Sequence, residues 1–182
     1  MYAVEVVIFA LWALFWLGWL AASFGNKPGR SGLTRGMGAR VVISVVIIVL
    51  FRLHAFRGRS LISDPWLLGI GFALFLAGLG LALWARVNMG RNWGTPMSQK
   101  SDPVLVKAGP YRVIRHPIYS GIILASIGTA TAVSPYWLIP TALFGTYFVY
   151  SALMEERYMC ERFPEAYPET KRSTKMLIPF VF

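Results

Sequence analysis

Residues 118–156 read IYSGIILASIGTATAV-SP-YWLIPTALFGTYFVYSALM-EE, from Ile118 to Glu156. Two apolar runs, Ile118–Val133 of 16 residues and Tyr136–Met154 of 19, are separated only by Ser134-Pro135. A connection this tight predicts a helical hairpin with antiparallel arms. Outward from the hairpin the theme repeats, and about 20 apolar residues are what a helix needs to cross a bilayer. Trp66–Ala85 supplies 20, and Tyr2–Phe24 supplies 23 with Glu5 as their only charge. The latter lacks the basic lead and short apolar core of a cleaved signal peptide, so it is expected to be retained as a span. Arg40 and Arg52 enclose only 11 residues. Extended to 39–56 with both arginines snorkelling, this stretch becomes a further span; a half-inserted helix is the alternative. The expected fold is all-α and integral to the membrane, one domain over residues 1–182 with about five transmembrane helices. Spans are expected at 2–24, 39–56, 66–85, 118–133 and 136–154, with a loop at 86–117 and a tail at 155–182.

The whole chain agrees with this reading. Of its 182 residues 56% are hydrophobic and 14% charged, well away from a soluble domain's balance. Disorder is excluded by the same numbers. One cysteine, Cys160, rules out an internal disulfide, and two histidines leave little for a metal cluster. The net charge of +10 points to nucleic acid in a soluble protein and to orientation in a membrane protein. Here the basic residues lie in loops beside spans, so no nucleic-acid partner is expected. Fifteen of the 18 lysines and arginines fall in the segment between the first two spans, in 86–117 and in the tail; Arg52, Arg57 and Arg59 fall on the other side. By the positive-inside rule the N-terminus is outside, and the long loop and C-terminus are cytoplasmic. Gly69, Ala73 and Ala77, then Gly121 and Ala125, are small residues at helical spacing, expected to let helices pack closely.

Neither a nucleophile elbow, a Walker loop nor a dinucleotide fingerprint is present. Chemistry is left to two polar clusters. The first ends Gly109-Pro110-Tyr111-Arg112-Val113-Ile114-Arg115-His116-Pro117-Ile118-Tyr119. Its prolines interrupt helix, and Pro117 suits the first turn of the next span. Free backbone N–H groups there, with Arg115 and His116, suit an anion; interfacial anchoring to lipid phosphate is the alternative. The second cluster is Glu155-Glu156. Acids at a helix C-terminus oppose its dipole and call for a positive partner. That partner is Arg157, Arg112 or Arg115, or else a cationic ligand. Because the hairpin turn lies outside, both clusters meet at the cytoplasmic face, where a pocket with anionic and cationic subsites suits a zwitterion.

The order Gly-Pro-Tyr, Arg-His-Pro-Ile-Tyr-Ser-Gly and Glu-Glu after a hairpin resembles the isoprenylcysteine carboxyl methyltransferases, grouped with the phospholipid methyltransferases. The resemblance covers about Ala85 to Pro179 and takes in Gly90-Arg91-Asn92-Trp93, Leu105-Val106, Phe163, Tyr167 and Leu177-Ile178-Pro179. It implies a multi-span helical enzyme that binds S-adenosylmethionine at its cytosolic face and releases S-adenosylhomocysteine. It implies further that Leu105, Val106 and Tyr111 border this cofactor. His116, Pro117, Ile118 and Tyr119, with Arg115, would hold its amino-acid and sulphonium region, and Glu155, with Glu156 beside it, its α-ammonium; Gln99 is a further candidate. The acceptor is expected to be a lipophilic small molecule or lipid offering a carboxylate, amine or thiol, with Glu156, Tyr111 or water as base. Three positions depart from the pattern. Ser151 replaces an arginine that binds the substrate carboxylate in the prenylcysteine enzymes, Asp102-Pro103 a histidine, and Pro164 a glycine. A nicotinamide-dependent membrane reductase of related fold and a non-catalytic lipid-binding protein are the alternatives.

Overall fold

A computed structural model describes residues 2–23, 29–30, 62 and 64–181. Within them are five α-helices: α1 (Tyr2–Ser23), α2 (Pro65–Met89), α3 (Pro117–Ala132), α4 (Leu138–Arg162) and α5 (Ala166–Ser173). A two-residue antiparallel pair, β1 (Gly29–Arg30) and β2 (Gln99–Lys100), is the one named sheet among the described residues. The protein is thus all-α, and α1, α2 and α4 are long and apolar enough to cross a membrane. At 16 residues α3 is shorter, about 24 Å at 1.5 Å per residue. The span expected at 39–56 lies outside the described residues.

Helix boundaries follow local chemistry. Asp64 caps α2, its Oδ1 accepting from the Trp66 N–H at 2.8 Å, and Pro65 occupies the first turn. The helix runs past Ala85 to Met89 and stops at Gly90, whose φ of +54° favours glycine. Arg86 ties this end to α1. Its Nη1 donates to Gly90 O (2.6 Å) and Nη2 to Ala22 O (3.0 Å), and its guanidinium lies 4.8 Å from the Trp93 ring centroid. At the hairpin turn Ser134 Oγ accepts from the Tyr136 N–H, and a short 3-10 turn, Pro135–Trp137, leads into α4. That helix continues two turns beyond Met154 to Arg162. Glu155 and Glu156 therefore sit inside the helix rather than at its C-terminus, and the dipole conflict expected from sequence does not arise.

Antiparallel α2 and α3 pack with their backbones almost touching. Gly71, Phe75, Gly78 and Ala82 face Ala132, Gly128, Ala125 and Gly121. A Cβ added to Gly71 would lie 2.5 Å from Ala132 N, and one on Gly121 would lie 2.6 Å from both Ala82 N and Gly78 O. Close approach needs small residues, which add contact and remove nothing from lipid. Gly121 and Ala125 are in this seam as expected. On α2 the expected face, Gly69, Ala73 and Ala77, is instead exposed, because α2 carries small residues on two sides and only one meets α3. Helix α1 leans on the pair: Trp12 Nε1 donates to Thr129 Oγ1 at 3.1 Å, and its ring stands edge-on to Phe75. Phe15, Trp19 and Trp93 carry the aromatic contact onward to the loop after α2.

Candidate functional site

The segment before α3 is held by the chain's last residues. Arg115 N–H donates to Lys175 O (2.8 Å), Lys175 N–H to Val113 O (3.0 Å) and His116 N–H to Met176 O (3.1 Å). The Ser120 hydroxyl donates to Leu177 O at 2.6 Å. Arg115-His116 is thereby fixed between the tail and the C-terminal half of α4, opposite Glu155 and Glu156.

The tandem carboxylates part company, since successive helical residues project about 100° apart. Glu156, 3% exposed, takes Arg115 Nε at 2.6 Å and Lys171 Nζ of α5 at 2.8 Å. Arg115 also donates from Nη1 to Thr174 O of the tail at 2.6 Å. At the expected anion site, Arg115 Nε and Nη1 are therefore engaged by Glu156 and a tail carbonyl. Glu155 instead faces a cavity, its Oε1 accepting from the Met97 N–H (2.8 Å) and the Tyr119 hydroxyl (2.6 Å). Its Oε2 lies 3.5 Å from His116 Nδ1. The His116 ring is parallel to Tyr119, and Tyr119 stacks on Phe148, with centroids 5.5 and 4.6 Å apart. His116 Nε2 is buried and lies 3.6 Å from Glu156 Oε1, with no hydrogen bond.

This cavity has a volume of about 230 Å³. Leu105, Val106, Tyr111, Arg115, His116, Ile118, Tyr119 and Glu155 all line it. The other three sequence candidates do not: Pro117 is buried at the start of α3, Gln99 belongs to β2, and Glu156 stands behind the wall in its ion pairs. Trp93, Phe148, Tyr158, Tyr167 and Thr170 also line it, and only Trp93 and Tyr167 fell within the sequence pattern. Burial and then the nearby Glu155 charge push the Tyr111 phenol above its ordinary value of 10, against a smaller opposing pull from Arg86. Burial and then Glu156 do the same to Tyr167. Both phenols stay protonated at neutral pH and are poor bases there.

The residues fit the group that the sequence resemblance implies. A partly exposed carboxylate facing a cavity can take an ammonium, and Leu105, Val106 and Tyr111 offer a flat apolar wall for a purine.

Comparison with known proteins places the chain among methyltransferases. The phospholipid methyltransferase family model matches residues 66–166, more than half of the chain. The nickel-cobalt-cadmium resistance protein NccN of Alcaligenes xylosoxydans xylosoxydans is 29% identical over 144 residues, 77% of this chain and 62% of that protein. Protein-S-isoprenylcysteine O-methyltransferase B of Arabidopsis thaliana is 28% identical over 64% of this chain and 61% of its own length. Methanethiol S-methyltransferase of Pseudomonas sp. (strain GM41(2012)) is 25% identical over 65% and 48% respectively. The chain spans about six tenths of the length of the first relatives it matches.

Proposed function

This chain belongs to the phospholipid methyltransferase family, and from that premise we propose that it is an integral-membrane methyltransferase. It takes its methyl group from S-adenosylmethionine and passes it to a lipophilic or amphipathic acceptor. The observation that carries this reading is the Glu155 carboxylate, facing an aromatic-walled cavity within 3.5 Å of His116. When bound, the cofactor supplies an electrophilic methyl on a sulphonium centre. The chain's own residues supply the rest. Glu155 holds the α-ammonium, Leu105, Val106 and Tyr111 border the adenosyl part, and the tail-clamped Arg115-His116 segment fixes the angle between them. The pocket opens to the cytoplasm and the N-terminus lies outside, in keeping with the basic residues of 86–117 and the tail. Relatives named as methyltransferases favour methyl transfer over the reductase and lipid-binding alternatives.

The test is ligand-linked stability of the purified chain in detergent. At about 100 times its dissociation constant, S-adenosylmethionine or S-adenosylhomocysteine should add about 2.7 kcal/mol by mass action. Absence of any shift at millimolar ligand, in protein shown by circular dichroism to be folded, overturns the reading. Incubation with methyl-labelled S-adenosylmethionine and host lipid extract then identifies the acceptor.

A further inference from the structure

We propose that the end of the tail is a membrane-interface anchor, seated on an anionic leaflet and holding the tail against the Arg115-His116 segment. The edge of the bilayer at this end follows from the helices. Apolar sequence in α4 ends at Met154, and Glu156 meets Arg115 just before α3 begins at Pro117. The tail does not lead away from that level. It accepts from the His116 N–H through Met176 O and from the Ser120 hydroxyl through Leu177 O, and Ser120 already lies within the first turn of α3. Successive tail residues thus move toward the apolar side. Beyond Leu177 the chain closes a turn, with the Val181 N–H donating to Ile178 O at 3.2 Å and Phe180 at a φ of +66°. Ile178, Phe180 and Val181 are left 53, 86 and 72% exposed.

A contiguous apolar tip of this kind marks an interaction surface, and the charges beside it select the partner. The Lys175 N–H donates to Val113 O, which brings Arg112 and the exposed Val113 next to the tail. Arg112, Arg172 and Lys175 are exposed and, among the described residues, make no ion pair. Glu169 of α5 is the exposed acid near them. Basic side chains around an apolar tip match the headgroup–acyl boundary, where lipid phosphates overlie hydrocarbon. Lipid is already present at this depth, since α4 enters it there; a protein partner would have to displace it. The tail also carries the carbonyls of Lys175 and Met176, which take the Arg115 and His116 N–H groups. An anchored tip keeps those bonds closed, whereas a chain end left in water frays.

The experiment places the full chain, with Cys160→Ser, in nanodiscs of phosphatidylcholine with and without phosphatidylglycerol. A nitroxide is attached at Phe180→Cys and, in a second variant, at Glu165→Cys. Both positions are exposed, so neither label has to be fitted into the core. Glu165 follows α4, whose residues 155–162 carry it about 12 Å past Met154 at 1.5 Å per residue. Collision with oxygen, which concentrates in hydrocarbon, against collision with a water-soluble nickel chelate reads depth. The label at 180 is expected to favour oxygen roughly tenfold more than the label at 165, and roughly twofold more with phosphatidylglycerol than without it. Equal ratios at the two positions overturn the anchor. Shielding of position 180 from both reagents also overturns it, being the mark of a protein or a second copy covering the tip. Equal ratios in the two bilayers overturn the anionic leaflet. Hydrogen exchange tests the hold on the segment: a chain with Phe180→Asp and Val181→Asp is expected to exchange its Arg115 and His116 amides roughly threefold faster or more. Unchanged exchange there overturns the link between the tip and the segment.

Discussion

The main-chain N–H of Met97 donates to Glu155 Oε1 at 2.8 Å, across 58 residues of sequence. Met97 is buried and holds a φ of +62°, uncommon for a side chain of its size. The loop after α2 is thus drawn onto α4 through the same carboxylate that faces the cavity. Charge and anchorage at this position can be separated. Glu155→Gln keeps an acceptor for Met97 and Tyr119 while removing the charge. It is expected to weaken S-adenosylhomocysteine binding roughly tenfold to a hundredfold, the worth of a charge-assisted hydrogen bond, with little change in melting temperature. Glu155→Ala also strands the Met97 N–H and should cost roughly 1–3 kcal/mol of stability besides. Isothermal titration and thermal melts of both variants check this; unchanged affinity in the glutamine variant would remove Glu155 from the site.

Glu156 answers to a different experiment. Buried between Arg115 and Lys171, it joins α4, the segment before α3 and α5 in one network. Removing one partner of a buried pair leaves an uncompensated charge, so Glu156→Ala is expected to destabilise by about 3 kcal/mol or more. Lys171 is 42% exposed, and Lys171→Met should cost less than about 1 kcal/mol. Denaturant titration in detergent measures both, and a larger loss at Lys171 than at Glu156 would contradict the network as described.

The hairpin was legible because Ser134-Pro135 interrupts two apolar runs, leaving almost no freedom in how they connect. The last two turns of α4 were not, because apolarity ends at Met154 whereas the helix is continued by polar contacts from Arg115 and Lys171. The two carboxylates were visible as a pair. Which one faces the cavity does not follow from the pair itself, since adjacent identical residues differ only in helical phase; only the family resemblance singled out Glu155. Lys171 and the Met97 N–H left no signal: the first is an ordinary surface lysine in sequence, and the second is a backbone group. On α2, small residues on two faces made either one a candidate seam, and only α3's position decides between them.

That seam gives a paired test within one helix. At Gly78 an added methyl would lie 2.5 Å from Gly121 O, so α2 and α3 must separate to admit it. Overpacking of this kind costs about 1–3 kcal/mol. A Cβ on Gly80, two residues on, meets nothing within 4 Å. Gly78→Ala is therefore expected to lower the melting temperature clearly, and Gly80→Ala to leave it within error or raise it slightly through helix propensity. Equal effects would mean that α2 and α3 do not pack along this face.

Tyr111 predicts how stability changes in alkali. Burial first, and then Glu155, raise its phenol above the ordinary value of 10, while Arg86 opposes weakly. An acid group whose folded pKa exceeds its unfolded one lends stability that is fully present below the unfolded value, here about pH 10. That stability is lost progressively as pH rises from there toward the folded pKa, because the unfolded chain releases the proton first. Tyr167, raised for the same first reason, adds to the slope. Melting temperatures should hence be insensitive to these groups between pH 7 and 9 and fall above pH 10. In Tyr111→Phe the fall should be shallower, although the variant also loses the hydroxyl's contact with Met89 Sδ at 3.7 Å. A pH series of thermal melts on both proteins decides it: an equally steep alkaline decline in the phenylalanine variant would show that Tyr111 ionises as easily in the folded chain as in the unfolded one.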